Sequence, residues 1–186
     1  MRLWDLASRS RLPSWYQPIA QYEATADTIL VFQSQLVHGL LQTRGYARAV
    51  FSVLQREGIE GKLEARMARQ RILKQEEPPL LWVVLDEAVL HREIGGPTVM
   101  RNQLAHLLSF ADSDHVHIQV LPFSAGAHTA MMGSFEIFCF YDQADVTFVE
   151  AYGDGLATAN PQQVRARSLR YDLLRACALS PGTQRE

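Results

Sequence analysis

The chain has 186 residues, 47% of them hydrophobic, and a formal net charge of −2. That length and apolar content suit one compact domain with a sizeable core, and the charge announces no nucleic-acid surface. No apolar run approaches the roughly 20 residues of a membrane span, and the start, with Trp4, Asp5 and Arg9, lacks the apolar core of a signal peptide.

Residues 2–9, with Leu3, Trp4 and Leu6, predict a short amphipathic helix, and Pro13 and Pro18 then break the chain around Trp15 and Tyr16. Residues 1–18 read as an arm, 19–181 as the domain and 182–186 as a tail. Thr28 to Phe32 is β-branched and aromatic and predicts a strand. Residues 44–57 predict a helix ending at Gly58. Residues 59–76 predict a second, with Ile59, Leu63 and Met67 on one face. Arg66, Arg69 and Lys74 lie elsewhere around it, either as a solvated face or as an anion-facing set with Arg48.

Pro78 and Pro79 stop that helix. Leu80 to Leu85 is a continuous apolar run, as in a strand buried on both faces. Asp86 and Glu87 follow, and Asp86 reads either as a cap for a helix over 87–92 or as a site residue. Pro97 opens a further helix carrying Met100, Leu104, Leu107, Leu108 and Ala111. Val116, Ile118 and Val120 alternate with His115, His117 and Gln119 in a half-buried strand. A loop of about a dozen residues, long enough to be functional, runs from Pro122 to Gly133 and carries His128, Met131 and Met132. Strands over 135–141 and 146–152 come next, then a tight turn at Gly153, Asp154 and Gly155. The last helix runs from Pro161 to about Ala178, with Val164, Leu169, Tyr171, Leu173 and Leu174 as its apolar positions. The sum is an α+β single domain, a mixed and mainly antiparallel sheet packed by several helices.

Cys139 and Cys177 both sit in apolar company and read as free buried thiols in a reducing cytoplasm. His115 and His117 share one strand face, but no cysteine or carboxylate completes a zinc set at a telling spacing, so no metal site is expected. Neither a nucleophile motif nor a phosphate loop or dinucleotide fingerprint is present, and no cofactor is expected. What remains is a small-molecule pocket. Its candidate lining, on which the blocks of the family resemblance given below converge, is Gln42, Tyr46 and Arg48, Asp86 and Glu87, His128 and Phe135, and Glu150 and Tyr152. The alternative is that Gln42 and Arg48 satisfy buried backbone carbonyls and that those blocks mark packing.

Gly39-Leu40-Leu41-Gln42-Thr43, followed after two residues by Tyr46-Ala47-Arg48-Ala49, resembles the core motif of the DUF5753-type domain. That domain follows an Xre-type helix-turn-helix in many actinobacterial regulators. "EARMARQ" at 64–70, "LDEAVLHREIGG" at 85–96, "MRNQLAHLL" at 100–108, "IQVLPFSAGAH" at 118–128, "GSFEIFCF" at 133–140, "FVEAYGDG" at 148–155 and "RYDLLRACALSP" at 170–181 resemble its other blocks, in order. Two departures stand out. His38 occupies a position where the family usually has proline, and the DNA-binding half is not in the sequence.

The resemblance implies a cytoplasmic effector-sensing or interaction module of regulators of development or antibiotic production, some of them antitoxin-like. It would bind a small molecule, a partner protein or a second copy of itself, with no direct DNA binding and no membrane. Gln42, Tyr46, Arg48, Asp86, Phe135 and Tyr152 are its candidate ligand-binding residues. The alternative is a cofactor-independent biosynthetic enzyme, a cyclase, isomerase or hydrolase, with His38, His128, Glu87 and Glu150 in acid–base roles. A third reading is a structural partner-binding domain that works through the aromatic arm.

Overall fold

The computed structural model describes residues 17–54, 58–151 and 154–180. In chain order the elements are α1 (Gln17–Thr25), β1 (Thr28–Gln33), α2 (Arg44–Leu54), α3 (Ile59–Arg69), β2 (Leu80–Asp86), α4 (Glu87–His91), α5 (Pro97–Leu108), β3 (Val116–Leu121), β4 (Phe135–Cys139), β5 (Val146–Ala151), β6 (Asp154–Thr158) and α6 (Pro161–Cys177). Short 3₁₀ turns lie at Gly39–Leu41, Gln70–Lys74 and Phe123–Ala125. Among the described residues no helix is long and apolar enough to cross a membrane.

One six-stranded sheet organises the domain, in the order β3-β2-β1-β4-β5-β6. β1 pairs parallel with β2, and β2 with β3; β1–β4, β4–β5 and β5–β6 are antiparallel. The fold is α+β with a mixed sheet. Parallel neighbours need long crossovers, and α2 and α3, then α4 and α5, supply them. The central strands are apolar on both sides because both faces are covered. Ile29, Val31, Leu81, Val83, Leu85, Phe138 and Phe148 point into the larger core, with Ile19, Leu40, Leu41, Tyr46, Val50 and Met100. Phe32, Val84, Phe135 and Ile137 point to the other face and pack with Tyr171 and Leu174 of α6.

Several elements differ from the sequence reading. α1 was not expected: Pro18 sits in its first turn, where a missing N–H leaves nothing unpaired. The helix read over 59–76 changes to 3₁₀ geometry at Gln70. The segment read as a tight turn begins β6, with Gly155 opposite Glu150. On α6, Val164, Tyr171 and Leu174 are buried while Leu169 and Leu173 are exposed. The buried set follows spacings of seven and three, which put it on one helical face. Cys177 is exposed rather than buried, because it faces out of the last turn of α6; both cysteines are free. The arm with its expected helix over 2–9, and Tyr152, lie outside the described residues.

Candidate functional site

The turn between β1 and α2 runs through the core, so its backbone polar groups need partners. Side chains supply them. The Tyr46 hydroxyl accepts from the Val37 N–H at 3.2 Å, and Gln42 Nε2 donates to the Val37 carbonyl at 2.7 Å. Gln70 Nε2 donates to the carbonyls of Gly39 and Gln42, at 2.9 and 2.7 Å. Gln103 from α5 donates to the Leu41 carbonyl at 2.8 Å and accepts from the Thr43 N–H at 2.7 Å. Arg66 donates to Gln42 Oε1 at 2.7 Å, with its guanidinium 4.8 Å from the Phe51 ring centroid. A Cβ at Gly39 would lie 3.2 Å from Arg66 Nη1, so glycine there admits the arginine. Burial pushes the Tyr46 phenol upward, opposed by the Val37 hydrogen bond and the charge of Arg92. Gln42 and Tyr46 thus hold the turn together.

Beside this turn lies a buried charged cluster. Arg69 makes a two-pronged pair with Glu23 of α1, Nε to Oε2 at 2.7 Å and Nη2 to Oε1 at 2.5 Å. His38 Nε2 lies 3.3 Å from Glu136 Oε1. Glu136 comes from β4, opposite Val31, on the face of the larger core. Burial is the strongest single influence on the Glu136 carboxyl and opposes its ionisation. The charge and hydrogen bonding of His38, with the charges of Arg69 and Arg66, outweigh it and hold the carboxyl below the usual range. Glu150, on β5, shares that sheet face. It is exposed as a residue, yet its carboxyl is pushed upward, by burial first and then by Glu136, against the pull of Arg66, His38 and Arg69.

The other sequence candidates lie elsewhere. Arg48 is on the surface, in an ion pair with Glu60. Arg44 likewise pairs with Glu64. Asp86 caps α4 by accepting from the Ala88 N–H at 2.9 Å, and its other oxygen is 3.8 Å from His128 Nε2. His128 packs edge-on to Phe32, with 5.6 Å between ring centroids, so it belongs to the α6 side of the sheet, as does Phe135. Glu87 accepts from the Phe123 N–H at 2.7 Å, which is the main reason its carboxyl is held below the usual range. The sheet therefore brings His38 and Glu150 together and keeps His128 and Phe135 on the opposite face. Arg66 and Arg69 face the interior and form no anion-facing set with Arg48.

Sequence reasoning missed Glu23, Glu136, Gln70 and Gln103. One signal was available for Glu136: it is in phase with Phe138 and Phe140 along a strand, which places a carboxylate on an apolar face. Nothing comparable marks Glu23 or the two glutamines.

A cavity of about 310 Å³ opens elsewhere, between α5 and the edge strand β3. Leu104 and Leu107 of α5, Leu90 of α4, Phe110, Val116 and Ile118 are among its walls. His117 also contributes, but its ring lies against Trp82, 4.8 Å between centroids, so it offers the cavity mainly main chain. None of the sequence candidates among the described residues lines it.

Fold and site define a single-sheet α+β domain with a side-chain-braced turn, a buried charged cluster beside it and an apolar cavity at the sheet edge. A family model described as a domain of unknown function, DUF5753, matches residues 16–186, and the chain belongs to that family. No curated protein and no solved structure matches the chain.

Proposed function

We propose that this domain is a non-catalytic binding module that takes a small apolar molecule between α5 and β3. The observation that carries the reading is the cavity of about 310 Å³ with apolar walls. Ligand sites are typically concave, largely apolar and roughly 300–1,000 Å³ in volume. Burying apolar surface there contributes about 25 cal/mol per Å², and the walls lack ionised side chains that would favour a charged ligand. The effector-sensing role that the family resemblance implies is compatible with such a site. Binding at α5 would be felt at the braced turn, because Gln103 of α5 reaches both Leu41 and Thr43.

Acid–base catalysis by His38, His128, Glu87 and Glu150 has less support, since the sheet separates His38 and Glu150 from His128. Native mass spectrometry of the chain purified from its own host tests the binding reading, together with titration of an apolar fluorescent dye. A retained small molecule, or dye binding that Leu104→Trp weakens at least tenfold, supports it. Dye binding unchanged by Leu104→Trp, or an empty dimer, overturns it in favour of a protein partner.

A further inference from the structure

Glu23, His38 and Glu136 are all buried and bring one imidazole nitrogen and two carboxylate oxygens within 4.8 Å of one another. His38 is 3% exposed; its Nε2 faces Glu136 Oε1 at 3.3 Å, while its Nδ1 and Glu136 Oε2 have no hydrogen-bond partner. Buried polar atoms in native proteins nearly always have a partner. Here two residues of the cluster each leave a buried polar atom without a partner.

One imidazole with two carboxylates is the donor set of a divalent first-row metal, and Zn²⁺ in particular accepts this mixture. The spacing also fits. Neighbouring ligands around a tetrahedral ion with bonds of about 2.1 Å stand about 3.4 Å apart, and His38 Nε2 and Glu136 Oε1 are 3.3 Å apart. Glu23 offers its oxygen within 4.8 Å of the other two donors. Each carboxylate oxygen has two lone pairs, so Glu23 can accept from Arg69 and still ligate. Metal-binding carboxylates are commonly oriented by such hydrogen bonds.

The charges permit a cation. Glu23, Glu136 and Glu150 face Arg66 and Arg69, three negative charges against two positive, so with a neutral imidazole the cluster carries one net negative charge, which a divalent ion would turn to one net positive. A proton on His38 would neutralise it and is the rival occupant.

We propose that Glu23, His38 and Glu136 form a buried site for a divalent transition metal of the Zn²⁺ class, tying α1 and the braced turn to β4. This site is separate from the apolar cavity, and it stands whether or not the cavity binds a ligand. Zn²⁺ would reach it during folding or by local opening, since the residues are closed off from solvent.

The test uses the full chain without a purification tag, stripped by a chelator, re-equilibrated with Zn²⁺ and desalted. Elemental analysis is expected to find about one Zn²⁺ per chain, as for a single structural site, with a melting temperature above that of the stripped protein. His38→Gln and Glu136→Gln should each weaken retention at least tenfold, since changes even to a ligand's supporting partners cost roughly 10–100-fold. His115→Ala, outside the cluster, should retain the metal. No retained Zn²⁺ in the wild type, or equal retention in His38→Gln, overturns the proposal and leaves the proton as occupant. If the variants fail to fold, Co²⁺ in the wild-type chain decides: intense visible bands that Zn²⁺ abolishes support a tetrahedral site of the three protein ligands completed by a water, and their absence overturns it.

Discussion

Arg69 and Glu23, 46 residues apart in sequence, close on each other through two parallel hydrogen bonds with almost no solvent contact. The pair fastens α1 to the end of α3. Removing one partner of such a pair strands a charge in the core, which costs about 3–5 kcal/mol. Arg69→Met should lower stability by about that amount in denaturant titration. The double variant Arg69→Met with Glu23→Leu should recover most of the loss, because replacing both ions by apolar groups of similar volume is often nearly neutral. A double variant as unstable as the single one would mean that the pair's value lies in its geometry.

Much of the fold is legible in the sequence because periodicity reports burial. Leu80 to Leu85 announces a strand covered on both faces, and Pro97 announces the start of α5. α1 escapes because its nine residues carry a weak apolar rhythm and a proline that usually reads as a breaker. β6 escapes because Gly155 lies inside it, a residue that sequence rules assign to turns. The candidate site was legible only where its residues sit in one motif. His38, Gln42 and Tyr46 lie within nine residues, whereas Glu23, Arg69 and Glu136 come from separate elements. Their meeting is a property of topology. Arg48 shows the opposite failure: it stands in the motif, but its helix turns it to solvent beside Glu60.

The two thiols should separate cleanly. Cys177 is exposed. Cys139 is raised to about 11, by burial first and then by the charge and hydrogen bond of Asp145. Only the thiolate is nucleophilic, so at pH 8 iodoacetamide should modify Cys177 and leave Cys139, with Cys139 reacting as pH approaches its raised value. The sign for stability follows. A thiol whose folded pKa exceeds its unfolded value of about 8.5 favours the folded state below that value, and the contribution is lost as pH rises toward the folded value. Cys139→Ala should therefore flatten the fall in melting temperature above pH 9. Mass spectrometry of tryptic peptides and pH-dependent melts check both.

Gly95 permits the approach of the α4–α5 connection to α2. Its φ is +74°, and an added Cβ would lie 2.8 Å from the Ala49 Cβ and 3.0 Å from Val99 Cγ1. The left-handed conformation alone costs an L-residue about 1–2 kcal/mol, and the contacts add to it. Gly95→Ala should lower stability by about 2 kcal/mol or more, whereas Gly58→Ala, with φ +66° and open space around the Cβ, should show the conformational cost alone. Equal losses at the two positions in parallel melts would show that packing against Ala49 is not the cause.

Arg48 and Gln103 give the sharpest contrast between position in the motif and role in the fold. Arg48 pairs with Glu60 at the surface, each side chain about half exposed or more. Such pairs contribute about 0–1 kcal/mol, less in salt, so Arg48→Ala should be close to neutral. Gln103 is fully buried and satisfies two backbone groups of the turn, the Leu41 carbonyl and the Thr43 N–H. Gln103→Leu keeps the volume and removes both bonds. Each buried group left without a partner costs about 1–3 kcal/mol, so the loss from the two should be about 2–6 kcal/mol. Hydrogen exchange should report it locally, as faster exchange of the Thr43 amide than of the sheet amides. Urea titration of the two variants side by side tests the ordering, and a greater loss for Arg48→Ala than for Gln103→Leu would reverse the assignment of the braced turn as the motif's structural content.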